Sequence, residues 1–199
     1  MGVFGGLIGA LFNHINIKLT KFRNSYVRKH ISTITESILV ASMSAIVGFL
    51  LSFYLRTDCQ PIGRDLVSKF PVQLFCDDGQ YNAMSGLFFQ TPEKSVRSLF
   101  HDPVGSFNPL TLGAFCIAYY ILAVWTYGLP IPSGLFIPSI LIGAAWGRLV
   151  GIGVSYMLPG SYIDPGKYAL IGSAATLGGI LRMTLRFVRF FDIIPRSIS

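Results

Sequence analysis

Charge is what this sequence has least of. Asp, Glu, Lys and Arg make up 13% of its 199 residues, and between Pro103 and Gly147 there is no Asp, Glu, Lys, Arg or His at all. The three histidines, His14, His30 and His101, are scattered, and no paired carboxylates fall within the apolar stretches. Without an acid–base pair or metal-ligand spacing, nothing points to an enzyme, a metal site or a cofactor. A convincing leader is missing too. The apolar start "MGVFGGLIGALF" has no basic residue before it, and Gly6 stands where a myristoylation signal needs Ser or Thr.

What the chain does have is apolar surface. Hydrophobic residues reach 52% and the mean hydropathy is +0.58, more than a soluble domain of this length needs to fill one core. The expected class is an all-α, polytopic helical membrane protein. Its net charge of +7 is local, with Lys18, Lys21, Arg23, Arg28 and Lys29 in one cluster and Arg182, Arg186, Arg189 and Arg196 in another. Basic clusters flanking apolar spans fit membrane lipids and the positive-inside rule, not nucleic acid.

Three stretches are long enough to cross a bilayer: Ile31 to Leu55, Pro109 to Tyr127 and Phe136 to Val154. The start of the chain, extended through "NHINIKL", reads as a tilted or partly buried helix. Asp164 and Pro165 open a final small-residue helix that Gly178 and Gly179 are expected to interrupt. Gly143, Gly147 and Gly151 recur every four residues, as do Gly2 with Gly6 and Gly5 with Gly9, which permits close helix approach. If the Lys18 to Lys29 cluster is cytoplasmic, the loop of about residues 56–107 is lumenal or external. On that oxidising side Cys59 and Cys76 can either form a disulfide, stabilising by about 3 kcal/mol through loop closure, or stay as two thiols. Cys116 reads as a small buried hydrophobe.

The stretch "GLPIPSGLFIP", Gly128 to Pro138, breaks the apolar region with three prolines and two glycines. Pro138 fits only the first turn of a helix, so the helix begins near Leu135 or Phe136. The N–H groups of Leu135, Phe136 and Ile137 then have no acceptor inside that helix, while Gly134 gives the chain conformational freedom and a clear approach. Such a positive helix end suits a small anion. Three readings stay open at this point: a discontinuous helix lining an ion path, a tight turn between two membrane helices, and a kink.

The residues around the break carry a resemblance. "SGLFIPSILIGAAWGRL", Ser133 to Leu149, resembles the Gly-x-Phe-x-Pro signature of the CLC family of chloride channels and proton-coupled chloride transporters. "DCQP", "LFCDDGQYNAM", "TPEKSVRSLFHDPVGSFNPLTLG", "WTYG", "DPGKYALIG" and "GGILRMTL" are similar to its endosomal and lysosomal branch, in the same order. The resemblance implies chloride as the transported ligand, held at Gly134, Leu135, Phe136, Ile137 and Pro138 with backbone roles for Leu135 and Phe136. It also implies a dimeric complete protein in a lysosomal or endosomal membrane.

Only the last helix of the family's first membrane half and most of its second half find counterparts here. The Gly-Ser-Gly-Ile-Pro motif and the motif bearing the gating glutamate do not. The expected organisation is a partial CLC-type membrane domain over residues 1–185 and a divergent tail over 186–199, as in a truncated or alternatively spliced product. Two functions follow as expectations: chloride transport, in which this piece is not competent alone, and a non-transporting partner that perturbs full-length subunits. Channel and antiporter are not distinguished.

Overall fold

The structure is a computed structural model that describes residues 1–27, 33–55, 59–61, 76, 80–102, 105–129, 134–157 and 164–181. Residues 130–133 of the break, Arg28 and Lys29 of the first basic cluster, and everything after Leu181 lie outside the described residues.

Among the described residues seven α-helices follow in order: α1 (Gly2–Phe22), α2 (Thr33–Tyr54), α3 (Ala83–Phe89), α4 (Pro92–His101), α5 (Pro109–Thr126), α6 (Phe136–Met157) and α7 (Pro165–Leu181). A π-helical turn, Arg23–Val27, continues α1. Three of these helices, α2, α5 and α6, are long and apolar enough to cross a membrane. Prolines set several starts. Pro92, Pro109 and Pro165 each occupy the first helical position, where a missing N–H costs nothing and the fixed φ suits the turn.

The expected loop of residues 56–107 has more structure than its mixed composition suggested. It holds α3, α4 and a short antiparallel ladder of β1 (Cys59–Pro61) with β2 (Gln80–Asn82), in which Cys59 faces Asn82. Cys59 and Cys76 are joined by a disulfide with their Cα atoms 5.9 Å apart. Asn82 then starts α3: its Oδ1 accepts from the Met84 amide at 2.9 Å while its Nδ2 donates to the Ser52 carbonyl of α2 at 3.2 Å.

Glycine lets α7 lie in the middle of the bundle. On one side α6 presents Gly143, Gly147 and Gly151. A Cβ on Gly143 would come within 2.6 Å of the Gly172 carbonyl, so side chains there are excluded. On the other side Gly5 and Gly9 of α1 meet Ala175 and Gly179. This contact corrects the expected interruption at Gly178 and Gly179, because α7 runs unbroken to Leu181. Gly179 is small because α1 passes against it, and that packing outweighs the helix cost of glycine, about 1 kcal/mol. A Cβ added at Gly2 or Gly6 would meet nothing within 4 Å among the described residues, so of the two glycine pairs on α1 it is Gly5 and Gly9 whose lack of a side chain the packing requires.

The main core joins α3, α4, α5 and α6 around Met84, Leu99, Leu112, Phe115 and Leu141, with Phe88 edge-on to Phe115 at 5.0 Å. A second cluster of Phe12, Val124 and Ile180 ties α1, α5 and α7 together, and Leu135 packs against it. The start of α6 is therefore seated where three helices meet.

Candidate functional site

α6 begins at Phe136, as the position of Pro138 requires. The Ser139 amide donates to the Leu135 carbonyl at 3.2 Å, which makes Leu135 the residue at the helix boundary and closes the first turn. The amides of Leu135, Phe136 and Ile137 precede any carbonyl that the helix could offer them, and Pro138 has none to place. No acidic residue lies in that turn. Ser139 is fully buried and its hydroxyl donates to the Phe136 carbonyl at 2.8 Å, which stiffens the turn from the inside.

Side chains divide the five expected residues. Leu135 is half-buried against Phe12, Val124 and Ile180, whereas Phe136 and Ile137 remain 42% and 41% exposed. The packing of Leu135 adds an anchoring role that the backbone argument had left out. Gly134 has open space around a built Cβ among the described residues. Its backbone is not left-handed: among the described residues the glycines with positive φ are Gly105 and Gly128, the latter at +102°. Conformational freedom is thus needed at Gly128, where the chain leaves α5, and clear space is what Gly134 provides. Gly134, Leu135 and Pro138 form one wall of a cavity of about 370 Å³, whose other walls are Gly48 of α2, Phe88 of α3 and Tyr119 of α5. The start of α6 therefore faces a space large enough for an ion with part of its hydration.

The other side of the break is held by residues that sequence reasoning passed over. α5 ends with its carbonyls pointing at α1, where Asn16 Nδ2 donates to Tyr127 at 2.9 Å and Arg23 Nη2 donates to Trp125. Arg23 also pairs with Glu36 of α2 at 2.7 Å, so one guanidinium links three helices. A cation at a helix C-terminus complements the negative end of its dipole. Arg23 counted only as one of a basic cluster in the sequence, although it is 6% exposed.

Arg148 escaped notice in the same way. It is the first charge after the charge-free stretch and is 1% exposed. The available signal was its place in an apolar span, since an ionisable residue inside a membrane helix must find a partner.

Residues 1–190 match the family described as voltage gated chloride channel. The chain belongs to that family. The H(+)/Cl(-) exchange transporter 7 of Homo sapiens is 57% identical over 186 residues, which cover 93% of this chain and 23% of that protein. The transporter of the same name from Mus musculus is 56% identical over the same length and the same shares. The Chloride channel protein CLC-d of Arabidopsis thaliana is 34% identical over 199 residues, 93% of this chain and 25% of the plant protein. The chain spans about a quarter of the length of these curated relatives. The voltage gated chloride channel match continues a little beyond Leu185, the expected end of family-like sequence, into residues outside the described part of the structure.

Proposed function

We propose that this chain forms part of a protein that moves chloride across a membrane, with the anion held by backbone amides at the start of α6. The observation that carries the reading is the helix start itself. Leu135 accepts the first helical hydrogen bond from Ser139, Pro138 sits in the first turn, no carboxylate is present there, and the turn opens on a cavity. The positive end of a helix favours an anion, and a small mobile one can engage several amides at once without the tight hold of a fixed cation. Kinship with proteins named as chloride channels and H(+)/Cl(-) exchange transporters supports chloride as the ion. The function is transport, with no bond made or broken and no cofactor. The proposal extends to a lysosomal or endosomal membrane and a homodimeric complete protein surrounded by lipid, which is what the resemblance of the sequence motifs to that branch implies.

The test uses a chimera in which residues 1–185 replace the matching segment of the human H(+)/Cl(-) exchange transporter 7, reconstituted in liposomes for chloride flux. Gly134→Val adds a branched side chain to a space that no described residue fills, so it crowds the anion with little packing cost. It is expected to lower flux about ten-fold, whereas Leu135→Ile, which keeps the amide and the volume, stays within about two-fold. Equal damage from both would transfer the role to side chains.

A further inference from the structure

Arg148 lies in α6, the helix that begins at the candidate anion site, and is the largest fully buried side chain among the described residues. Its guanidinium reaches out of α6 to the C-terminal end of α4. Nη1 donates to the Leu99 carbonyl at 2.6 Å and lies 3.3 Å from that of Ser98, and Nη2 donates to the Asp102 carbonyl at 2.7 Å. The Phe107 ring lies beneath the cation at 4.8 Å. A planar fork engaging several carbonyls at a negative helix end is directional in a way that a packed methyl group is not.

α4 is itself a fixed post. Ser95 of α4 donates from its hydroxyl to the Leu87 carbonyl of α3 at 3.1 Å, and α3 is tied to α2 through Asn82 and Ser52. The face of α6 beside Arg148 is different. There Gly143, Gly147 and Gly151 run along Gly172, Ala169 and Tyr168 of α7. The notches left by glycine admit side chains of α7, Thr176 at Gly143 and Tyr168 at Gly151, and allow close approach without a directional tie of the kind the guanidinium makes. The hydrogen bond that crosses this seam, Thr176 Oγ1 to the Ser139 carbonyl at 3.2 Å, has a substitute within its own helix at Gly172, 2.9 Å away. Sliding would therefore cost that hydroxyl little.

We propose that Arg148 is a positioning residue: by clasping the end of α4 it fixes where α6 sits along its axis, and so the depth of the anion site at the helix start. The inference rests on the proposed anion role of that start. Phe136 and Arg148 are about 18 Å apart along a helix of 1.5 Å rise, and a rigid helix passes an axial shift at one end undiminished to the other. Displacement of an amide row by about 1 Å is enough to weaken a hydrogen-bonded ion substantially.

The experiment measures chloride flux against chloride concentration in the full-length chimera, per folded molecule. Arg148→Lys keeps the charge and loses the fork. It is expected to raise the apparent KM for chloride about five-fold while maximal flux stays within about two-fold. A merely structural arginine would lower the amount of folded protein and leave KM alone, and that result overturns the proposal. Should Arg148→Lys not reach the membrane, Phe107→Leu removes the ring beneath the cation and keeps the apolar volume. It is expected to raise KM about two-fold, and an unchanged KM refutes the assignment. Leu135→Pro separates the two readings. If it raises KM and neither of the other variants does, the site stands and the role of Arg148 falls; if it leaves KM unchanged, the site reading falls and the inference with it.

Discussion

Replacing Leu135 by proline removes one backbone amide from the start of α6 along with the leucine side chain, and set against an alanine control it is the sharpest test of a backbone-built site. The Leu135 carbonyl, which accepts from Ser139 at 3.2 Å, is retained in proline, so the first helical hydrogen bond survives. The residue in front is Gly134, which has no Cβ to clash with the proline ring, and a Cβ added there would meet no described residue within 4 Å. The side chain must be accounted for separately, since Leu135 packs against Phe12, Val124 and Ile180. Leu135→Ala provides that control: both variants give up most of the packing, and only proline gives up the N–H. Hydrogen bonds to a charged group contribute about 1.5–3 kcal/mol, so the difference between the two variants is expected to be about ten- to hundred-fold in apparent chloride affinity. Flux of the reconstituted chimera over a range of chloride concentrations reads that difference directly. Thermal melting in detergent checks that proline destabilises no more than alanine does. The same apparent KM for both variants would refute the use of this amide.

Two further predictions concern the scaffold. Non-reducing peptide mapping should recover Cys59 and Cys76 in one linked peptide pair, and replacing both by serine should lower stability by about 3 kcal/mol, the loop-closure value for their separation of 17; quantitative alkylation of both thiols without reductant would contradict it. On α7, Gly179→Val should destabilise by about 1–3 kcal/mol because its Cβ would stand 2.5 Å from the Gly5 carbonyl oxygen, whereas Gly178→Ala should stabilise by about 0.5–1 kcal/mol because it meets no described atom within 4 Å. Melting temperatures of opposite sign for these adjacent positions are the expected result, and a loss at both would show that Gly178 has a neighbour of its own.

The legible parts of this fold were those fixed by local covalent geometry. Pro138 has one place in a helix, so the start of α6 could be counted from it to within a residue. Span lengths followed from apolar runs: α2 was expected over Ile31 to Leu55 and observed over Thr33–Tyr54. What the sequence hid was set by partners far along the chain. Gly178 and Gly179 looked like a helix breaker because the approach of α1 is invisible from α7 alone. Gly134 looked like the flexible point of the break, while the left-handed residue is Gly128, next to the carbonyls that Asn16 and Arg23 secure. Arg148 could be flagged as a buried charge in an apolar span. Its acceptors at Ser98, Leu99 and Asp102 could not be assigned without the fold.

The long absence of charge gains a meaning once the helix ends are compared. The C-terminal end of α5 is served by Arg23 and Asn16 from α1, and that of α4 by Arg148 from α6. Both are negative ends, and both receive a resident cation. The start of α6 is a positive end, for which the symmetrical solution is an Asp or Glu in or before the first turn, stabilising by about 0.3–1 kcal/mol and commonly found there. No acidic residue occupies that turn, and none exists anywhere between Pro103 and Gly147. A fixed carboxylate at this point would compete with chloride for the same amides and repel it from the cavity. On the proposed reading, the lack of acidic residues keeps the positive end of α6 open to an anion that comes and goes, while the arginines hold neighbouring helix ends whose partners never leave.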